Sequence, residues 1–360
     1  MAEIPANQFR PDYAIPPGYT LIEVLNSIGM TQAELADRTG RPRKTINEIV
    51  KGKAQITAET AIQLERALGV PAGFWNNLER QYQETIARID EARRLERQIA
   101  WIESFPIREM VGLGWISSYR EPVRQLQELL NYFGVATPEA WRDLWESMPV
   151  AFRRSPAYEA DPEAISGWLR QGELQAQHID CSPYDGSQFK QALGTIRSFT
   201  AQSPDVFVPA MKEIASSSGV VVLFVRELPK IRTSGATRWL TPSKALIQLS
   251  LRYKTDDHLW FTFFHESAHI LLHGKTEVFL EGPDGSDDKE QEANEFAASF
   301  LIPQQSLMTF VLAGQKSRAA ITEFAAGLGI SPGVVVGQLQ HAGFLPHSHC
   351  NDLKQHLAWA

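Results

Sequence analysis

The chain has 360 residues, 43% of them hydrophobic and 21% charged, with a formal net charge of −7, which fits two or three folded domains and excludes a disordered chain or a uniformly cationic polyanion binder. No run of about 18 apolar residues occurs, and the start "MAEIPANQFRPDYAIPPGY" has neither a basic nor an apolar leader region, so no membrane partner and a cytoplasmic location are expected. The two cysteines, Cys181 and Cys350, are too few for a disulfide framework or a Cys-based metal site, which leaves His and carboxylates to hold any metal.

The first hundred residues read as five helices at apolar 3.6-residue spacing: "TLIEVLNSIGM", "TQAELADRTG", "PRKTINEIV", "ITAETAIQLERALGV" and a long charged one from "PAGFWNNLERQYQ" to "RRLERQI". Thr31 with Glu34 makes a capping-box pattern, Gly40 breaks the chain, Pro42 suits a first helical turn, and Thr57 and Gly69 bound the fourth helix. Charge concentrates here. Arg38 to Lys53 carries six basic residues against Glu48, a local balance of +5. A turn at "RTGRP" followed by a basic helix is the requirement of a helix-turn-helix, whose second helix enters the major groove by its N-terminal residues. Arg41, Arg43, Lys44, Thr45 and Asn47 suit base edges, while Thr31, Gln32, Lys51 and Lys53 suit phosphate oxygens. The alternative is a solvated basic face on a helical bundle.

The run from Pro16 to Gln83 resembles the XRE-type helix-turn-helix of HigA/VapI addiction-module antitoxins, most specifically in "TQAELA", "TINEIVKGKAQITAETAIQLERALG" and "FWNNLERQY". The resemblance implies a homodimer that binds a double-stranded DNA operator and represses its own promoter, with a cognate toxin as a further partner. Trp75, Leu78 and Tyr82 are then expected in the core.

From about Ile107 to Thr200 the pattern stays helical and Trp-rich, and reads as a connector without chemistry of its own. "SGVVVLFVREL" reads as a buried strand, and "TRWLTPSKALIQLSL" as two more about the turn "TPSK". Next comes "WFTFFHESAHILLHGKTE". His265 and His269 lie on one helical face, with Glu266 beside them to activate water: the HExxH zincin pattern. Asp256 and Asp257 read as its N-cap. Leu272 and Lys275 stand where a metzincin would place Gly and its third His, so that type is excluded. An acidic stretch follows, with seven acids against Lys289 between Glu281 and Glu295, and leads into the amphipathic helix "DDKEQEANEFAASFLIP", whose buried stripe is Ala293, Phe296, Ala297 and Phe300. A third ligand is expected there. Glu292 is one choice; Glu290 and Glu295 compete with it, or form a solvated face.

"HESAHILLHG" followed by "EQEANEFAASFLIP" resembles the ImmA/IrrE metallo-endopeptidase domain, over roughly Gly219 to Pro303. The resemblance implies Zn2+ held by His265, His269 and Glu292, with Glu266 as the catalytic base and acid. Zinc would polarise the scissile carbonyl and lower the pKa of water to about 7. His273, Arg238 and Tyr253 are candidates for stabilising the oxyanion, "ALIQLS" is a candidate edge strand for an extended substrate, and "HSHC" with His356 reads as a mobile tail.

The expected fold is multidomain and mainly α, with a small α+β zincin-like domain. Residues 1–104 form a five-helix helix-turn-helix domain with a long trailing helix, 105–200 a helical connector, and 201–360 a zinc metallopeptidase domain with a short sheet. The expected function is a transcriptional regulator of HigA antitoxin type whose endopeptidase domain cleaves a specific protein, a repressor or a toxin. The competing reading is a repressor whose zincin-like domain binds a partner or senses metal without catalysis.

Overall fold

The structure is a computed structural model that describes residues 13–146, 161–275, 278–280, 288–314 and 316–359; Glu281, Asp284 and Asp287 of the acidic stretch lie outside them. The chain divides into two compact units, residues 1–99 and 100–360.

In the first unit, α1 (Pro17–Ser27), α2 (Gln32–Thr39), α3 (Arg43–Val50), α4 (Ala58–Leu68) and α5 (Ala72–Glu96) enclose Leu21, Leu35, Ile46, Ile49, Leu64 and Trp75. The helix starts follow the sequence signals. Thr31 Oγ1 accepts the Glu34 amide at 3.1 Å and Thr57 Oγ1 the Thr60 amide at 3.2 Å, each satisfying an otherwise orphaned donor. Gly40, left-handed at φ 65°, ends α2 and turns the chain into α3. Trp75 is fully buried, as expected of it, while Leu78 and Tyr82 are half-buried. Gly18 sets the distance between α1 and α3: a Cβ there would stand 2.3 Å from the Ile49 carbonyl oxygen.

The second unit contains α6 (Ile107–Gly112), α7 (Pro122–Phe133), α8 (Pro138–Glu146), α9 (Pro162–Gln177), α10 (Gly186–Arg197), α11 (Pro204–Ser216), β1 (Val220–Phe224), β2 (Gly235–Thr241), β3 (Lys244–Leu249), α12 (Asp256–Leu272), β4 (Phe279–Leu280), α13 (Asp288–Leu301), α14 (Gln304–Leu312), α15 (Arg318–Leu328) and α16 (Pro332–His341). The sheet order is β1-β3-β2-β4, with β1 parallel to β3 and the other pairs antiparallel. Alternation sends Val220, Val222, Ala245 and Ile247 to one face, against Trp260, Phe263 and Phe264 of α12. Val221, Leu223 and Leu246 point the other way, into a cluster with Leu129, Phe133, Trp141 and Trp168 of α7 to α9. Helices α6 to α9 of the segment 105–200, read from sequence as a separate connector, therefore cover the sheet's second face, while α10 of that segment packs on the first face through Phe189, Leu193 and Ile196. Trp168 Nε1 donates to the Val225 carbonyl at 3.0 Å, and Gln248 of β3 donates to the Trp168 carbonyl at 2.7 Å.

The C-terminal segment packs in order, contrary to the mobile tail expected. Thr255 pairs with His356 in an isolated antiparallel bridge, and Leu357 is buried. Among the described residues no single helix is long and apolar enough to cross a membrane.

Candidate metal centre and nucleic-acid interface

Helix α12 runs under the sheet with a broad apolar face, so the face bearing His265, Glu266 and His269 is itself buried, each residue at 1% exposure or less. The two imidazoles converge: His265 Nε2 and His269 Nε2 are 3.1 Å apart. The carboxylate that meets them is Glu290 of α13, with Oε2 3.1 Å from His265 Nε2 and Oε1 3.5 Å from His269 Nε2. One ligand atom from each of the three lies within 4.8 Å of the others. Glu292, the expected third ligand, is elsewhere. Its side chain is 63% exposed, and Oε2 contacts His273 Nε2 at 3.2 Å. Two positions on an α-helix are about 200° of rotation, so the residue that follows the buried stripe of Ala293 and Ala297 backwards by three is Glu290. Glu295 accepts from Gln291 at 3.0 Å, on the helix surface.

The donor set fits a divalent metal. The oxygen of Asn294 on α13 stands 3.0 Å from His265 Nδ1 and can only accept, so that nitrogen carries the proton and Nε2 presents a lone pair. Burial, with His265, His273 and Lys289 nearby, pushes the His269 pKa down to about 2, so this ring is neutral and able to ligate. Two imidazole lone pairs and a carboxylate facing one point, with the ring of Phe279 stacked on His269 at 4.1 Å, form a His2Glu cluster of the kind that suits zinc.

Strand β2 presses close to Glu266. A Cβ at Gly235 would fall 2.6 Å from Thr262 Cγ2 and 2.8 Å from Glu266 Oε1, and Thr237 Oγ1 donates to the Glu266 carbonyl at 3.0 Å. Gly235, Thr237 and Asn294 were not singled out from sequence. Only Asn294 left a signal there, four residues after Glu290 and so on the same helical face.

Several sequence candidates lie away from this centre. Arg238 follows Thr237 on β2 and so points to the opposite face, where it pairs with Glu173 of α9 at 3.3 Å. Burial lowers its pKa, with Glu173 opposing the shift. Tyr253 stacks on His258 at 4.2 Å, beside the N-terminal end of α12, about two turns from His265. "ALIQLS" forms β3, which is paired on both sides and offers no free edge. Asp256 and Asp257 are not caps either: Thr255 is the N-cap, and the two aspartates lie buried in the first turn.

In the first unit, α3 buries Ile46, Ile49 and Val50 and exposes Arg43 and Lys44, the latter with 85% of its side chain in solvent. Thr45 and Asn47 are half-buried, Lys51 and Lys53 exposed, and Asn47 Nδ2 reaches Gln32 Oε1 at 3.5 Å. Arg41 differs. Only 19% of its side chain is exposed; it donates to Gln63 and pairs with Glu59 at 3.4 Å, tying the α2–α3 turn to α4. Thr31 spends its hydroxyl oxygen on the cap of α2.

Residues 21–75 match a family model described as helix-turn-helix, and residues 216–339 match the peptidase M78 family, described as IrrE N-terminal-like domain. These ranges enclose α2 and α3 on one side, and His265, His269 and Glu290 on the other. No curated protein matches the chain. Among solved structures it is similar to a HigA-family addiction module antidote protein from Coxiella burnetii, at 30% identity over 23% of this chain and 92% of that one, TM-score 0.22. It is also similar to the Pseudomonas aeruginosa antitoxin HigA, solved with the higBA promoter, at 31% identity over 24% and 94%, TM-score 0.22. A third, PA4674 of Pseudomonas aeruginosa, solved with its operator DNA, is 30% identical over 24% and 94%, TM-score 0.23.

Proposed function

The chain carries an XRE-type helix-turn-helix domain and an M78 peptidase-like domain, and on that premise we propose that it is an operator-binding transcriptional regulator with a zinc-dependent endopeptidase acting on a specific protein, a repressor or a toxin. The observation that carries the peptidase half is the convergence of Glu290 of α13 on His265 and His269, beside Glu266 on the buried helix α12. When bound, zinc supplies Lewis acidity toward a peptide carbonyl and toward water. Glu266 takes the proton from the attacking water and returns it to the leaving amine. The DNA-binding half is supported by the exposed Arg43 and Lys44 on α3 and by the operator and promoter DNA held by the similar Pseudomonas proteins. A homodimer on a two-fold operator, and a cognate toxin as partner, belong to the same reading.

A second reading is favoured by burial. His265, Glu266 and His269 are enclosed, which suits a regulator that holds metal or a partner without turnover. Cleavage proteomics in cells separates the two. Glu266→Gln is expected to keep about one zinc per chain while specific cleavage products vanish; identical product profiles for wild type and variant leave the metal-sensing regulator.

A further inference from the structure

We propose that the cavity beside the first two turns of α12 is a subsite for a carboxylate, filled by an acidic side chain of an extended protein substrate about two to four residues from the scissile bond. The proposal rests on the reading of Glu266 as the base of a peptidase. The cavity, about 210 Å³ with its mouth, lies between the β3–α12 connection, α12 and the residue before β2; Arg252, Tyr253, Lys254, Thr255, His258 and Thr262 are among its lining. A site for a whole small ligand has about 300–1,000 Å³, so this one suits a single side chain. Thr262 joins it to the proposed base. It lies one helical turn before Glu266, about 6 Å along the axis, and a Cβ at Gly235 would meet both residues. His258 is about 12 Å from Glu266 by the same measure. An extended chain covers these distances in about two to four residues.

The charge of the lining selects the class of side chain. Arg252 and Lys254 are cations, and among the described residues no carboxylate lines the cavity. The nearby acids are engaged elsewhere: Asp257 pairs with Lys354, and Asp256 accepts from the Ser331 hydroxyl and the Gln355 amide. The Arg252 guanidinium lies 5.0 Å from the centre of the Tyr253 ring, which stacks on His258 at 4.2 Å. Neither that guanidinium nor the Lys254 ammonium forms an ion pair among the described residues. Two such cations suit a carboxylate, whose charge-assisted hydrogen bonds are about twice as strong as neutral ones. Two further features mark this place. Thr255 is the N-cap of α12, yet its hydroxyl caps nothing and has no hydrogen-bond partner, and a buried hydroxyl of that kind calls for one. Lys254 has a left-handed backbone at φ 55°, strained for a lysine, and such strain clusters at binding sites. The Lys254 amide on the Leu251 carbonyl at 3.1 Å, and the Leu357 amide on the Lys254 carbonyl at 2.8 Å, fix the loop before any ligand arrives.

The test uses the full 15N-labelled chain with zinc added. N-acetylglutamate methylamide is the probe and its glutamine analogue the neutral control. The acid is expected to shift the backbone amides of residues 252–255 and 258 where the analogue does not, and its affinity to fall about tenfold in Arg252→Gln and in Lys254→Asn. Asparagine tolerates the left-handed backbone, so Lys254→Asn carries the test if Arg252→Gln does not fold. Equal shifts from both compounds, no shifts from the acid, or unchanged affinity in a folded variant overturn the subsite. A second arm digests a randomised peptide library and reads the products by mass spectrometry. Wild type is expected to cut with Asp or Glu enriched about two to four residues from the scissile bond, and Lys254→Asn to lose that enrichment. Cleavage without acidic enrichment overturns the subsite and leaves the peptidase. No cleavage by wild type, with the acid still bound at residues 252–255, counts against the peptidase reading while the carboxylate site stands.

Discussion

Gly235 decides how closely a strand can approach the proposed base. An added methyl would meet Thr262 and both the Cγ and a carboxylate oxygen of Glu266, and buried overpacking of this kind costs about 1–3 kcal/mol. The strand cannot retreat freely, because Thr237 is bonded to the Glu266 carbonyl two residues on. Gly235→Ala is therefore expected to displace the Glu266 side chain and lower cleavage about a hundredfold, the effect of roughly 1 Å of misplacement, while zinc content stays at the wild-type level. Cleavage assays with metal analysis check this; unchanged cleavage contradicts the close approach. The assignment of the third ligand also turns on single residues. The 3.6-residue spacing of Ala293, Phe296, Ala297 and Phe300 was legible in the sequence, and extended back by three it reaches Glu290. The family resemblance pointed instead to the Glu directly before "AN", and only the side-chain geometry separates a carboxylate facing two imidazoles from one facing His273.

At the scale of elements, the helix that bears His265 and His269 is held at its N-terminal end by the C-terminal segment. Lys354 Nζ pairs with Asp257 Oδ2 at 2.7 Å, both side chains at or below 10% exposure, and also donates to Gln340 Oε1 at 2.8 Å. The Gln355 amide donates to Asp256 Oδ1 at 2.9 Å, and the Asp256 amide to the Gln355 carbonyl at 3.0 Å. Burial raises the Asp256 pKa, against the bonds from Ser331 and Gln355. α16 packs so closely that a Cβ at Gly333 or Gly337 would clash with these aspartates. Breaking a buried pair from one side costs about 3–5 kcal/mol. Lys354→Ala is accordingly expected to lower the melting temperature of the second unit by several degrees, checked by calorimetry; an unchanged transition removes the clasp. The individual helices and strands here were readable from periodicity and from capping residues. What joins Thr255 to His356, or α9 to the sheet, was not, because such pairings connect distant segments by shape and leave no local pattern.

At the scale of the molecule, the two proposed functions fall to two compact units. Arg43→Ala combined with Lys44→Ala removes two exposed cations from α3. It is expected to weaken operator binding and to flatten the salt dependence by about 0.9 in log–log slope for each phosphate no longer neutralised, with zinc content unaltered; titration of operator DNA at several ionic strengths checks it. Unchanged binding removes α3 from the interface. The sheet carries a different consequence. Its strands lie within residues 216–339, the stretch matching the peptidase family, but Val221, Leu223 and Leu246 on its second face are covered by helices that begin more than a hundred residues earlier, at α6. Trimming the chain to the matched stretch would strip that cover and leave an apolar surface open to self-association. Solubility, rather than catalytic residues, would then set the smallest fragment in which the metal chemistry can be studied, and that fragment has to start near residue 100.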